Sequence, residues 1–161
     1  MSDFESSSER FMREAIDLAI KNVRSRAGGP FGAVVVRQGV AIGRGANRVT
    51  ATRDPTAHAE VVAIREACEH LGSHRLDGCE LYASCEPCPM CLGAIHWAHI
   101  ERLYCAATRD DAAAAGFDDA EIYREIQLPA ERRSLPTAQL MREAALVVFS
   151  EWRSSPDSVP Y

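Results

Sequence analysis

Positions 58–60 read His58-Ala59-Glu60, and positions 84–91 read Ser84-Cys85-Glu86-Pro87-Cys88-Pro89-Met90-Cys91. Together they offer one imidazole and two thiolates, three of the four ligands that a tetrahedral zinc takes. A structural zinc site is closed by four protein ligands, whereas a catalytic one keeps a position for water. Glu60 has no ligand role of its own. A carboxylate beside an open zinc position can take a proton from water and deliver it later. Cys85 would complete an evenly spaced Cys85-x-x-Cys88-x-x-Cys91 series and close the site, but a closed site gives Glu60 nothing to do. The expectation is one zinc per chain on His58, Cys88 and Cys91, with Glu60 as general acid and base.

The spacing also says where these residues must sit. Positions 58 and 60 are about 200° apart around a helix, so they cannot share one side of it. At a helix start both side chains lean toward the N-terminus and can converge just off the helix end. The same holds for Cys88 and Cys91, with Pro87 and Pro89 holding the first cysteine. Two helix N-termini would then face one metal, and their dipoles favour thiolates there.

Working outward, Ser6 and Glu9 form a capping box before Met12, Ala15, Ile16, Ala19, Ile20 and Val23, which recur at helical spacing. Gly28-Gly29-Pro30 ends that helix. Residues 33–36 and 40–42 read as a hairpin around Gln38-Gly39. A loop runs over 47–56. A second helix is expected from near Pro55 to Leu71, with Val61, Ile64, Cys68 and Leu71 as its apolar face. Residues 80–84 and 102–106 read as strands on either side of a helix over 89–99. Short helical pieces are expected around 118–125, and a last helix over 136–152. Helix, hairpin, then alternating helix and strand point to an α/β chain. It would form three α/β/α layers with a central mixed sheet.

A chain of 161 residues is expected to form one domain, here 1–153, with 154–161 as a tail. Its 47% hydrophobic and 25% charged residues are ordinary for a soluble globular protein. The net charge of −5 argues against binding a phosphate backbone, which relies on clustered Lys and Arg; Lys21 is the only lysine. No apolar run approaches the length of a membrane span, and residues 1–10 lack the basic start and apolar run of a signal peptide. The cytoplasm is the expected location. Its reducing conditions favour metal ligation over disulfides for the six cysteines. Cys68, Cys79 and Cys105 read as small buried hydrophobes.

The H-x-E…P-C-x-x-C arrangement is a signature of zinc-dependent deaminases. With Pro30-Phe31-Gly32-Ala33-Val34, Asn47 and Asp54-Pro55-Thr56-Ala57-His58-Ala59-Glu60, it resembles the cytidine-deaminase-like superfamily. Within that superfamily, Ala114-Ala115-Gly116-Phe117-Asp118-Asp119 and Tyr161 look like bacterial guanine deaminases. The resemblance implies hydrolysis of guanine to xanthine and ammonia. Asn47 and the backbone of Ala59 would orient the purine, Phe31 and Trp97 would pack on it, and Asp119 would handle a proton at the leaving amine. Tyr161 would close the site from the tail. It also implies a homodimer, for which the first and last helices and Trp152 offer apolar surface. From composition alone, Phe31 fits a core position equally well, Trp97 fits simple packing, and Asp118-Asp119 fits a helix cap.

Several other readings share the zinc motif. A guanosine deaminase differs by one ribose, and other nucleoside or nucleobase deaminases differ only in the pocket. A tRNA adenosine deaminase flips its base out of a structured RNA and would want a basic surface. A non-enzymatic zinc fold acting as a partner subunit would have no use for Glu60.

Overall fold

The fold is described for residues 6–160 in a computed structural model. In chain order the elements are α1 (Ser7–Arg24), β1 (Gly32–Arg37), β2 (Val40–Ala46), α2 (Val49–Thr52), α3 (Ala59–Leu71), β3 (Cys79–Cys85), α4 (Pro89–Trp97), β4 (Arg102–Ala107) and α5 (Arg109–Ala114). They belong to a compact unit, Met1–Asp119. A second unit, Ala120–Tyr161, holds α6 (Ala120–Gln127), a 3₁₀ turn (Ala130–Arg132) and α7 (Arg142–Ser154).

The capping box forms as expected: Ser6 Oγ accepts from Glu9 N at 3.2 Å, and Ser6 N donates to Glu9 Oε2 at 2.7 Å. The hairpin turns at Gln38-Gly39, both left-handed. Four strands make one sheet in the order β2-β1-β3-β4. β1 runs antiparallel to β2 and to β3, while β3 and β4 are parallel, joined through α4. The sheet is therefore mixed, as the element order implied.

β1 is buried on both faces, and its alternation sorts the core into two layers. Ala33 and Val35 face a cluster with Ala59, Ala63, Ile64 and Ala67 of α3, Leu81 of β3 and Ile95 of α4. Val34 and Val36 face Phe11 and Ala15 of α1 and Tyr82 of β3. Tyr82 stacks on Tyr104 at 4.7 Å, which ties β3 to β4 on the α1 side. The three layers are α1, the sheet, and α3 with α4.

Three expectations are corrected in detail. The helix expected from Pro55 begins at Ala59 instead. Asp54 Oδ1 accepts from Thr56 N at 2.8 Å and Thr56 Oγ1 at 2.7 Å, and this local turn takes the backbone that a helix would have used. The buried stripe of α3 is Ala59, Ala63 and Ala67 with Ile64, while Val61 is only partly covered. Small side chains win because the glycines of β2 bring the strand close against the helix. In the second unit, α7 starts at Arg142 and not at Pro136, because Met141 before it is left-handed and breaks the run. The sequence reading also missed α5, which starts at a second capping box between Thr108 and Asp111.

Candidate active site

His58 and Cys88 occupy equivalent places: each is the N-cap of its helix, in extended conformation. An N-cap side chain usually satisfies one of the helix's open N–H groups. Here the two side chains are directed at each other and at Cys91. His58 Nδ1 lies 3.5 Å from Cys88 Sγ and 3.4 Å from Cys91 Sγ. All three ligand atoms fall within 4.8 Å of one another.

A zinc with Zn–S near 2.3 Å and Zn–N near 2.0–2.1 Å at the tetrahedral angle separates N from S by about 3.5–3.6 Å. The two N–S spacings thus match those of a tetrahedral zinc. Cys85 does not join these atoms: its Sγ bonds Thr108 O at 3.4 Å. The protein offers three ligands, the open arrangement of a catalytic zinc.

The electrostatics agree. Cys88 is held down to about 4, first by a hydrogen bond from the Cys91 thiol and also by the His58 imidazole, against the opposing effect of burial. Cys91 is pushed well above the ordinary thiol range by Cys88 beside it and by burial. Two thiolates this close cannot both ionise unaided, and a dication provides the missing charge.

Glu60 is 8% exposed, one of three buried polar side chains among the described residues. It stands at the second position of α3, where it and the Cys91 thiol influence each other's ionisation. Burial, first, raises its pKa. A carboxyl poised in this way can accept a proton and also return it. His58 and Glu60 act on each other electrostatically at the helix start, each favouring the other's charged form.

Asn47 N donates to Phe31 O at 3.0 Å, and the following Arg48 N donates to Ala57 O at 2.9 Å, which ties this stretch to the residue before His58. Ala59 is fully buried, and its N–H is at the first helical position, where no intrahelical carbonyl reaches it. Phe31 packs on the core and meets Phe117 edge-on, with ring centroids 5.0 Å apart at 85°. It therefore serves the core whatever else it does. Asp119 is half-buried, and its pKa is raised first by burial and then by the charge of Cys88. Trp97 ends α4, 64% exposed, at least a turn beyond Cys91. Tyr161 lies outside the described residues.

The sequence marks Phe117 only as part of the 114–119 stretch; its contact with Phe31 has no local signal, since the two are far apart along the chain. A cleft of ≈ 430 Å³ is walled by Ile16, Ile20 and Val23 of α1 together with Phe31 and Phe117. Its walls include none of His58, Glu60, Cys88 or Cys91, so it is separate from the metal cluster.

Fold and site define a zinc-dependent deaminase. Residues 5–107 match the cytidine and deoxycytidylate deaminase zinc-binding region, and the chain belongs to that family. Over 153 residues it is 52% identical to the guanine deaminase of Bacillus subtilis (strain 168), covering 95% of this chain and 98% of that one. The X-ray structure of guanine deaminase from Bacillus subtilis superposes with a TM-score of 0.93 at the same identity and coverage. A tRNA-specific adenosine deaminase from Agrobacterium fabrum (strain C58) is 48% identical over 95 residues, 57% of this chain and 62% of that protein.

Proposed function

We propose that the chain hydrolyses guanine to xanthine and ammonia. One observation carries the substrate: likeness to a guanine deaminase runs through 95% of the chain, past the zinc unit into the C-terminal segment. Sequence likeness to the tRNA-specific relative covers 57%, and a solved tRNA:A34 deaminase that matches 97% of the chain does so at only 31% identity and a TM-score of 0.61, against 52% and 0.93 for the guanine deaminase. The family motif alone does not separate the two, because both need the same zinc chemistry.

His58, Cys88 and Cys91 hold the zinc, which when bound supplies the Lewis acidity that makes water nucleophilic near neutral pH. Glu60 takes a proton from water as the water oxygen bonds C2 and passes it to the adjacent ring nitrogen; the remaining hydroxyl proton then goes to the amine, whose bond to C2 breaks as it leaves as ammonia and the C2 carbonyl of xanthine forms. The burial of Glu60 suits this double duty, because a raised pKa brings the acid and base forms closer in energy at working pH. Asn47 and the N–H of Ala59 orient the ring. Phe31 and Trp97 flank it, and Asp119 exchanges a proton with the departing amine.

The protein is expected to act as a homodimer in the reducing cytoplasm. In α7, Leu146, Val147, Val148, Phe149 and Trp152 are all at least 39% exposed, an apolar surface that suits an interface. No described helix is long and apolar enough to cross a membrane. The six cysteines are free among the described residues.

The test is incubation of the zinc-loaded protein with guanine, guanosine, adenine, cytosine and cytidine, following ammonia release. Guanine should be turned over far faster than the rest. Preference for guanosine, or activity on none of the five, would overturn the substrate.

A further inference from the structure

Asn22 is a buried asparagine near the end of α1, 7% exposed, with no role in the chemistry above. Its Nδ2 donates two hydrogen bonds, to Gly29 O and to Asn47 O, both at 2.8 Å. It thereby ties the turn at 28–29 to residue 47. Gly28 makes the approach possible: a Cβ there would stand 2.0 Å from Asn47 O and 3.0 Å from Asn22 Nδ2, so only hydrogen fits. Gly29 continues the contact, its N donating to Asn47 Oδ1 at 3.4 Å.

This clamp fixes the orientation of the Asn47 amide. Asn47 Oδ1 accepts from Gly29 N and from Val49 N, the latter at 3.3 Å. Two backbone donors at one end of a side-chain amide assign that end as the oxygen. The other end is Nδ2, a donor, and no hydrogen bond from it forms among the described residues. Asn47 is itself 7% exposed, so the amide is held within the fold and does not swing in solvent.

We propose that Asn22 is a positioning residue for substrate recognition. By holding Gly29 O and Asn47 O together, it keeps Asn47 Oδ1 on its backbone donors and presents Asn47 Nδ2 to the substrate. The site then asks for a hydrogen-bond acceptor on the ring edge facing residue 47, and a ring carrying an amino donor there leaves two donors opposed. This rests on reading Asn47 as a ring-contacting residue of a purine deaminase.

A kinetic double-mutant cycle tests it, because a residue that acts through another loses its effect when that other is removed. The zinc-loaded wild type, N22A, N47A and the double variant are compared for kcat and KM on guanine, with zinc content and Tm recorded for each. N22A should lower kcat/KM by about tenfold, chiefly through KM, since ring orientation is shared by the ground and transition states. In the N47A background the same change should alter kcat/KM by less than about twofold. A tenfold loss in both backgrounds would make Asn22 merely structural and overturn the inference, as would no loss in either. N22S retains one donor and serves the same cycle if N22A does not fold; it should lie between N22A and wild type. Guanine turnover by the wild type separates the two failures. An additive cycle in an active wild type sinks only the role of Asn22, whereas a wild type inactive on guanine sinks the substrate and this inference with it.

Discussion

A Cβ on Gly45 would stand 2.0 Å from Ala59 O, so strand β2 and the first turn of α3 meet with only a hydrogen between them. Ala59 lies between His58 and Glu60. The depth at which α3 sits against the sheet therefore sets where the ligand and the carboxylate stand relative to Cys88 and Cys91.

Replacing Gly45 with alanine should push the start of α3 away from β2. Overpacking of this kind typically destabilises by about 1–3 kcal/mol, and backbone on both sides leaves little room for relief. Thermal unfolding of the variant should show a clearly lower Tm and zinc should bind more weakly. Unchanged Tm and zinc affinity would mean that the strand–helix contact is looser than described.

Cys91→Ala should lose stoichiometric zinc and activity together, while Cys85→Ala should keep both, since Cys85 bonds Thr108 O and lies outside the ligand cluster. Metal analysis of the two purified variants decides between them. Removing the zinc from the wild type with a chelator should abolish turnover, and added zinc should restore it.

Glu60→Gln preserves shape and hydrogen bonding but cannot shuttle a proton. Its kcat should fall by ~10²–10⁴-fold, with zinc content and Tm close to wild type. Near-normal ammonia release from this variant would remove Glu60 from the mechanism.

Asp54 shapes the turn that delivers the chain to His58. Its carboxyl is held below the usual range, first by the Thr56 hydroxyl, then by Thr56 N, with Arg65 adding a smaller push. A carboxyl with a depressed folded pKa stabilises above its unfolded pKa, near 3.9, and that contribution fades as pH falls through the folded value. The Tm gap between wild type and Asp54→Ala should therefore stay constant from about pH 8 to pH 5 and close below about pH 4. A gap that persists in strong acid would assign the effect of Asp54 to packing.

The tail over 154–161 has the composition of a frayed end, with two prolines and three serines. If Tyr161 helps cover the site, deleting 155–161 should leave zinc content and Tm nearly unchanged. It should lower kcat/KM for guanine by about tenfold, equivalent to ~1.4 kcal/mol of transition-state stabilisation. Full activity in the truncated protein would remove Tyr161 from the site.

The ligand set was legible in the sequence because coordination chemistry admits few residue types and the local geometry is short-range. Cys88 and Cys91 lie within one helical turn, and His58 and Glu60 within another, so their placement together at helix starts followed from helix geometry. The α1 cap at Ser6 and Glu9 and the hairpin at Gln38-Gly39 were legible for the same reason, since each is settled within four residues. Where local signals competed, the reading slipped. Pro55 suits a helix start, but the Asp54–Thr56 turn captured the backbone first. The apolar face assigned to α3 favoured its larger side chains, whereas the strand beside it has room only for alanines.

Taken alone, the sequence determined the chemistry: one imidazole, two thiolates and an unligated carboxylate, on elements that alternate as a three-layer α/β chain requires. Only the tertiary structure decided that His58 meets cysteines 30 and 33 residues away, that Cys85 turns to Thr108, and that Phe117 closes on Phe31. It also decided that Asn22 grips Asn47 across 25 residues. Distances along one helix are set by covalent geometry and can be read from spacing. Distances between elements depend on strand register and on how closely a helix packs against its sheet, and those are settled by side chains contributed from the whole chain.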